Sequence, residues 1–201
     1  MGTSSNLINK AVEQLSRFPG VGQKSALRMA LFLLKQPETD SIALSDAIIR
    51  MRTEIQFCEQ CFNLSDAKLC NVCSSPGKDA TIVCVVKDFQ DVMAIENTGQ
   101  YNGHYHVLGG LISPVDGVGP SDIKIPQLLS RAGEGEIKEA ILALSSTLEG
   151  DTTEYYIAKK MRELGVEVTS LSKGISVGGE LEYADEMTLA QSIKNRIKMN
   201  F

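Results

Sequence analysis

Four cysteines arranged as two pairs constrain this chain more than any other feature of its sequence. The pairs have the form Cys-x-x-Cys and consist of Cys58 with Cys61, and of Cys70 with Cys73. Four thiolates supply the number and the kind of ligands that a closed, tetrahedral zinc site requires. The eight residues between the pairs are polar and short, so the module has almost no hydrophobic core of its own. We therefore expect one structural Zn²⁺ per chain, whose binding supplies the folding energy of the module.

Two other interpretations of the cysteine pairs are weaker. Disulfides require an oxidising compartment, and the N-terminus lacks the basic and then apolar segment that directs export. A redox Cys-x-x-Cys motif usually stands alone at a helix start, whereas these motifs form a spaced pair. The fifth cysteine, Cys84, lies in an apolar run and is expected to be buried in a strand. No run approaches the ~20 apolar residues of a membrane span, so we expect a cytoplasmic protein.

The charge of the chain is divided unevenly along its length. The net charge of the whole chain is −5, whereas residues 1–36 carry five cations against one acid and so have a charge of +4. The remaining residues must then carry −9. The charged residues of this basic head are Lys10, Arg17, Lys24, Arg28, Lys35 and Glu13. A basic head on an acidic body predicts contact with a polyanion at one end of the protein.

The basic head has the pattern of two helices joined by a glycine turn. Apolar residues recur at helical spacing from Asn6 and again from Gln23 to Lys35, where Leu31 and Leu34 are expected to point inward. The segment Phe18-Pro19-Gly20-Val21-Gly22 separates the two runs. Gly20 and Gly22 are expected to take positive φ and to let a phosphate approach the backbone. Lys24 and Arg28 share one face of the second helix beside the anion site formed by its N-terminus. The pattern favours a helix-hairpin-helix that binds the DNA backbone, with an ordinary helical hairpin as the alternative.

Strands and helices alternate after a linker at Gln36–Asp40, a third helix from about Ser45, and the cysteine module. The run from Thr81 to Val86 is apolar and β-branched, which is typical of a strand buried on both faces of a parallel sheet. Further strands are expected at Tyr105–Leu108, Glu139–Leu144 and Val166–Thr169, and further helices at Asp88–Asn97, Ser121–Ala132 and Thr152–Leu164. This alternation predicts a parallel α/β sheet, whose ligands gather at the carboxyl ends of the strands.

Two acidic residues stand at that edge of the predicted sheet. Glu149 and Asp151 either hold Mg²⁺ through their carboxylates or stabilise the N-terminus of the following helix, and spacing does not separate these alternatives. The glycine-rich segment from Gly174 to Glu180 lacks the Lys-Ser/Thr ending of a P-loop, which argues against ATP binding. The final helix, from Asp185 to about Met199, is amphipathic and is expected to contact the body or a second subunit. His104 and His106 are interpreted as structural.

Several of these motifs, in this order, resemble the bacterial RecR family of recombination mediators. The resemblance covers nearly the whole chain. It rests on the hairpin turn with Lys24, on the four cysteines and on Glu149-Gly150-Asp151. Three further segments carry it: Tyr105-His106-Val107-Leu108-Gly109-Gly110, Ile112-Ser113-Pro114 with Asp116-Gly117-Val118-Gly119-Pro120, and Gly178-Gly179-Glu180-Leu181-Glu182-Tyr183-Ala184-Asp185-Glu186.

The resemblance implies four modules and a set of partners. The modules are a helix-hairpin-helix (1–56), a four-cysteine zinc finger (57–77), a Toprim domain (78–172) and a C-terminal glycine-rich loop and helix (173–201). It also implies a ring-like tetramer that clamps DNA and works with RecO and RecF to load recombinase on gapped DNA coated by single-strand-binding protein. In such proteins the residues matching Lys24 and Arg28 contact DNA, and those matching Glu149 and Asp151 contact a partner rather than catalyse.

One departure from the resemblance bears on catalysis. Toprim enzymes usually end their first strand with glutamate, whereas this chain has Lys87 there. A lysine removes the expected general acid or base and repels Mg²⁺. We therefore expect no enzymatic activity, and the competing hypothesis is a Mg²⁺-dependent Toprim nuclease or topoisomerase-like enzyme that uses Glu149 and Asp151.

Overall fold

The chain forms two compact units that divide between Ile55 and Gln56. In the computed structural model the described residues are 4–172, 174–175 and 178–198. Residues 176 and 177 of the predicted Gly174–Glu180 segment, residue 173 before it and the end of the predicted final helix lie outside them. Among the described residues, no helix combines the length and the apolar character that crossing a bilayer requires. The boundaries proposed for the four modules stay a prediction.

The N-terminal unit consists of three helices. They are α1 (Asn6–Leu15), α2 (Gln23–Leu33) and α3 (Glu38–Glu54). The Ser5 hydroxyl accepts a hydrogen bond from the N–H of Ile8 and so caps α1. The prediction that α3 begins near Ser45 was wrong, because Pro37 precedes its first turn and Glu38 and Asp40 stabilise that turn's positive end.

The N-terminal unit buries little apolar surface. Among residues 4–55, only Ala26 and Ala30 are buried. The prediction that Leu31 and Leu34 of the second helix point inward was wrong, because both side chains are exposed. The amphipathic pattern correctly predicted helices, but residues 4–55 leave much of their apolar surface exposed.

The C-terminal unit begins with the cysteine module and continues as a parallel sheet. A short antiparallel pair, β1 (Gln56–Phe57) with β2 (Leu64–Ser65), opens the cysteine module. The sheet strands are β3 (Asp79–Val86), β4 (Gly103–Val107), β5 (Glu139–Ala143) and β6 (Glu167–Ser170). Their order is β4-β3-β5-β6 and every pairing is parallel, as the alternating pattern predicted.

Helices cover both faces of this sheet. They are α4 (Phe89–Glu96), α5 (Ile125–Gly133) and α6 (Leu148–Glu163). A 3-10 turn at Leu181–Tyr183 and a last helix, α7 (Glu186–Lys194), follow the sheet, and neither contains a buried residue. On one face Leu128 of α5 and Ile157 of α6 pack on Val83 and Val85 of β3. On the other face Val92 of α4 packs with Cys84, which is buried as predicted and whose thiol pKa is raised by that burial to about 12.

Two helix starts differ from the predictions and affect the site. The predicted helix at Ser121 begins four residues later, at Ile125, after a turn closed by the carboxylate of Asp122 on the N–H of Gly119. The predicted helix at Thr152 begins at Leu148, because the Thr147 hydroxyl caps it by accepting from the N–H of Gly150. Glu149 and Asp151 therefore lie inside the first turn of α6 rather than ahead of it.

Candidate nucleic-acid interface, metal centre and carboxyl edge

The turn between α1 and α2 exposes backbone. The N–H of Val21 donates to the carbonyl of Phe18 at 3.0 Å, and Gly20 takes φ +76°. A side chain at Gly20 would strain this left-handed conformation, so glycine is required there. The turn then enters α2 through Gly22, whose carbonyl accepts the first helical hydrogen bond from the N–H of Ala26.

Gly22 differs from the prediction. Its φ is −79° with ψ 164°, the extended conformation of a helix N-cap, so the expectation of positive φ was wrong for this residue. No side chain caps α2, and a Cβ placed on Gly22 would meet nothing within 4 Å. Neither backbone strain nor packing within the chain demands glycine here. What the missing side chain provides is open access to the first-turn N–H groups of α2, which favour an anion.

Two cations stand beside this open backbone. Lys24 and Arg28 are both exposed and lie one turn apart on α2, a helix with no acidic residue. In the described part of the chain neither forms an ion pair, whereas Arg17 of the same basic head donates to the side chain of Gln14 at 3.0 Å. The N-terminus of α2 and these two side chains thus present positive charge to one region of solvent.

The four cysteines converge as the spacing predicted. The sulfur atoms of Cys58, Cys61, Cys70 and Cys73 all lie within 4.8 Å of one another. The sulfurs of Cys61 and Cys70 are 3.5 Å apart, well beyond the ~2.05 Å of a disulfide and close to the ~3.8 Å expected between ligands of a tetrahedral zinc. All five cysteines of the chain are free thiols. The donor set fits Zn²⁺, and the chain carries one structural zinc site.

Local hydrogen bonds shape the two knuckles of this site. The N–H of Phe62 donates to the carbonyl of Cys58, and the N–H of Cys70 donates to the Cys58 sulfur at 3.4 Å. Hydrogen bonding among the thiols lowers the pKa of Cys70 and raises the pKa values of Cys61 and Cys73, so the three sulfurs interact directly. Four cysteine ligands complete the tetrahedral coordination of a zinc ion, and three of them are buried, which is typical of a structural rather than a catalytic site.

The zinc module is attached directly to the sheet. The N–H of Val107 in β4 donates to the carbonyl of Cys61 at 2.8 Å. The next residue, Phe62, has φ 62°, the left-handed conformation, and its ring packs edge-on against His106 at 5.3 Å. The ammonium of Lys124 lies over the same ring at 5.4 Å. The sequence analysis did not predict that Phe62 joins the zinc module to the sheet. The one indication in the sequence was its position directly after Cys61.

The two histidines are part of this packing. His106 is fully buried, its Nε2 lies 2.8 Å from the carbonyl of Lys124, and burial lowers its pKa to about 4. His104 is buried as well, with Nδ1 3.5 Å from the guanidinium of Arg131. Both positions agree with their interpretation as structural residues.

The carboxyl edge of the sheet holds a cavity of about 590 Å³, and only one residue of the predicted acidic pair, Glu149, lines it. Lys87, directly after β3, lines it together with Glu149 at the start of α6. Asp151 lines a different cavity, of about 600 Å³, with Asp185. Residues two apart on a helix point about 200° from each other, so this separation follows from α6 beginning before them. Joint Mg²⁺ chelation by the pair does not fit, and both carboxylates lie where the helix N-terminus favours negative charge.

These features define a modular protein in which a cation-bearing helical hairpin precedes a four-cysteine zinc module and a parallel α/β sheet. Four known families match its sequence: RecR helix-hairpin-helix (8–52), RecR four-cysteine zinc finger domain (55–75), Toprim domain (81–172) and RecR C-terminal (174–197). The chain belongs to the RecR family.

Relatives that align with nearly the full length of the chain support this assignment. The Recombination protein RecR of Flavobacterium johnsoniae is 52% identical over 197 residues, which cover 98% of this chain and 96% of the relative. That of Bacteroides thetaiotaomicron is 53% identical over 192 residues, covering 96% and 94%. That of Porphyromonas gingivalis strain W83 is 49% identical over 193 residues, covering 96% and 93%. The module order predicted from the sequence is thus confirmed.

Proposed function

We propose that this protein is a DNA-binding recombination mediator in recombinational repair. In this proposal it forms a ring- or clamp-like oligomer that acts with RecO and RecF to load recombinase on gapped DNA coated by single-strand-binding protein. The relatives are named recombination proteins, which supports the general role. Since the work is done on the chromosome, we place the protein in the cytoplasm.

The observation that carries the proposal is the pairing of Lys24 and Arg28 with an open helix N-terminus. Phosphate oxygens accept from backbone N–H groups and attract cations, so this surface suits the DNA backbone and reads no base sequence. Gly20 supplies the conformation of the turn, and Gly22 leaves the approach to the backbone clear. We therefore assign DNA contact to Lys24, Arg28, Gly20 and Gly22.

We further propose that the protein is not an enzyme. Lys87 stands where a Toprim enzyme needs a carboxylate, and its ammonium shares a cavity with Glu149. Asp151 lines another cavity, so Glu149 and Asp151 are not placed to share one Mg²⁺. We assign Glu149 and Asp151 to contact with a protein partner, which the acidic character of residues 37–201 also favours.

One incubation with supercoiled plasmid separates the mediator from a Toprim enzyme. The DNA is incubated with the protein, with and without Mg²⁺, and is run on gels before and after the protein is stripped off. We expect retarded DNA that is recovered intact with unchanged supercoiling in both conditions. If nicked, linear or relaxed DNA forms only with Mg²⁺, and does not form with the Glu149→Gln variant, the protein is a Toprim enzyme rather than a mediator.

We also propose self-association through the N-terminal unit. Leu44, Ile48, Met51 and Ile55 are spaced four, three and four apart, so they form one stripe along and just beyond α3, and each is between 38% and 60% exposed. A helical unit with two buried alanines among residues 4–55 cannot hide this stripe by itself. A second copy offers the same stripe, which is the self-complementary surface that a two-fold interface requires.

An aspartate in the stripe tests this assembly. Ile48→Asp should lower the apparent association constant about tenfold or more, because the charge would be buried between copies. Ser45→Asp places the same charge on the same helix outside the stripe and should leave assembly unchanged. Light scattering coupled to gel filtration, over a series of concentrations, gives the masses. Equal masses for both variants and the wild-type chain would exclude the stripe as the interface.

A further inference from the structure

An apolar side chain projects from a rigid turn at the carboxyl edge of the sheet. Val115 is 94% exposed, at the tip of the turn between Ser113 and Val118. Each of those two residues donates its N–H to the other's carbonyl, at 3.0 and 2.9 Å. The Ser113 hydroxyl also donates to the carboxylate of Asp116 at 2.6 Å, and Gly117 takes φ +71°. The tip is therefore held in one conformation while its apolar side chain contacts solvent.

The root of this turn is fixed to the body of the C-terminal unit. The N–H of Ile112 donates to the hydroxyl of Thr153, a fully buried residue of α6, at 2.9 Å. Because that hydroxyl also donates to the carbonyl of Glu149 at 2.6 Å, the turn and the start of α6 share one hydrogen-bonded residue. The position of Val115 is thus tied to the position of the first turn of α6.

A second apolar side chain is exposed on that first turn. Leu148, the first residue of α6, is 79% exposed. It is held by the Thr147 cap and by Gly150, at which a Cβ would collide with the carbonyl of Ser145. Because the backbone at Leu148 is held in place, a partner that buries this leucine has to order its side-chain rotamers only.

Both side chains flank the cavity that contains Glu149. Ser113 and Asp116, on either side of the Val115 tip, line it, as do Thr147 and Glu149, on either side of Leu148. The lining also includes Asp122, so three carboxylates face one ammonium, that of Lys87. The surface is thus a net acidic cavity between two exposed apolar side chains that are carried on a hydrogen-bonded backbone.

We propose that Val115 and Leu148 are the two apolar anchors of a docking surface for a basic protein partner, with Glu149 between them. The partner offers an apolar recess for each anchor and a lysine or arginine for the cavity. Three carboxylates disfavour DNA at this place, and the −9 charge of residues 37–201 disfavours the same region of a second copy. The inference rests on the proposed function for the existence of a partner contact at Glu149, and it adds the residues that anchor that contact.

Purified RecO from the same genome serves as the probe, and biolayer interferometry measures its affinity for the immobilised full-length chain. Val115→Ser and Leu148→Ser should each weaken binding about tenfold, because a truncated central anchor typically costs that much. Tyr155→Ser is the matched control, since Tyr155 is also exposed on α6 but lines other cavities, and it should change affinity less than twofold. Equal affinities for the wild-type chain, Val115→Ser and Leu148→Ser overturn the inference.

A second measurement separates failure of the anchors from failure of the proposed RecO partnership. If the wild-type chain does not bind RecO, the proposed RecO partnership is wrong. A photo-crosslinking amino acid at position 115, introduced in living cells, then tests whether Val115 contacts another protein partner. Any protein that crosslinks is then purified, and its affinity for the wild-type chain and for Val115→Ser is measured. An affinity at least tenfold higher for the wild-type chain supports the inference. Crosslinks confined to DNA or to a second copy overturn it, as does a yield no higher than that from position 155.

Discussion

Cys70→Ser should lose its zinc and with it the fold of the cysteine module. We expect the metal content to fall from one equivalent per chain to none, because three ligands and a serine hydroxyl bind zinc far more weakly than four thiolates. Structural zinc contributes on the order of 10 kcal/mol to modules of this kind, so residues 57–75 should become susceptible to protease. Metal analysis of the dialysed protein and limited proteolysis measure the two effects.

Cys84→Ser is the matched control for this experiment. It makes the same sulfur-to-oxygen change at a buried cysteine, but in β3 rather than among the metal ligands. It should keep one zinc per chain while lowering the stability of the sheet by about 1–3 kcal/mol, the cost of a buried hydroxyl. A Cys70→Ser protein that still binds one zinc with unchanged affinity would contradict the four-thiolate site.

Replacing Lys24 and Arg28 together with alanine should weaken DNA binding by about a hundredfold at low salt, because each removed cation gives up a phosphate contact. The same loss should make the plot of log affinity against log salt less steep by about two for each bound hairpin. Fluorescence anisotropy with labelled duplex and single strands at several salt concentrations measures both quantities.

Two further variants show whether the effect is local. Lys138→Ala with Lys159→Ala removes the same total charge from exposed positions of the C-terminal unit, and should change affinity only a few-fold. Gly22→Ala should cost no more than about 1 kcal/mol of stability, since Gly22 is a helix N-cap but the new Cβ meets nothing within the chain, yet it should weaken binding by obstructing the backbone. If the affinity for DNA is unchanged after Lys24 and Arg28 are replaced, the proposed DNA clamp is excluded.

The parts of this fold that were predictable depend on local patterns. The spacing of the four cysteines sets the ligand number without reference to the rest of the chain, and the structure brings their sulfurs together. The run from Thr81 to Val86 is apolar throughout because β3 lies between two neighbouring strands and has both faces covered. Lys24 and Arg28 are four apart, so helical geometry alone places them on one face.

The parts that were missed depend on contacts between distant segments or on helix starts. Glu149 and Asp151 were read as a pair because the helix was expected to begin after them, and the Thr147 cap moved that start by four residues. The ring of Phe62 packs against His106, which lies in β4, far along the chain, so no local pattern indicated this contact. Helical spacing marked Leu31 and Leu34 as apolar positions but does not say whether the covering surface belongs to the same chain.

The hydrogen bond between Val107 and Cys61 also bears on aggregation. β4 is an edge strand, and without other partners its N–H and C=O groups on the side away from β3 would be open to pairing with a strand from another molecule. Cys61 accepts from the Val107 N–H, and Arg131 donates to the carbonyl of Tyr105 at 2.9 Å, so both groups are already engaged. The zinc module therefore protects one edge of the sheet from pairing with a strand of another molecule. A chain that loses its zinc exposes this edge, and we expect it to aggregate.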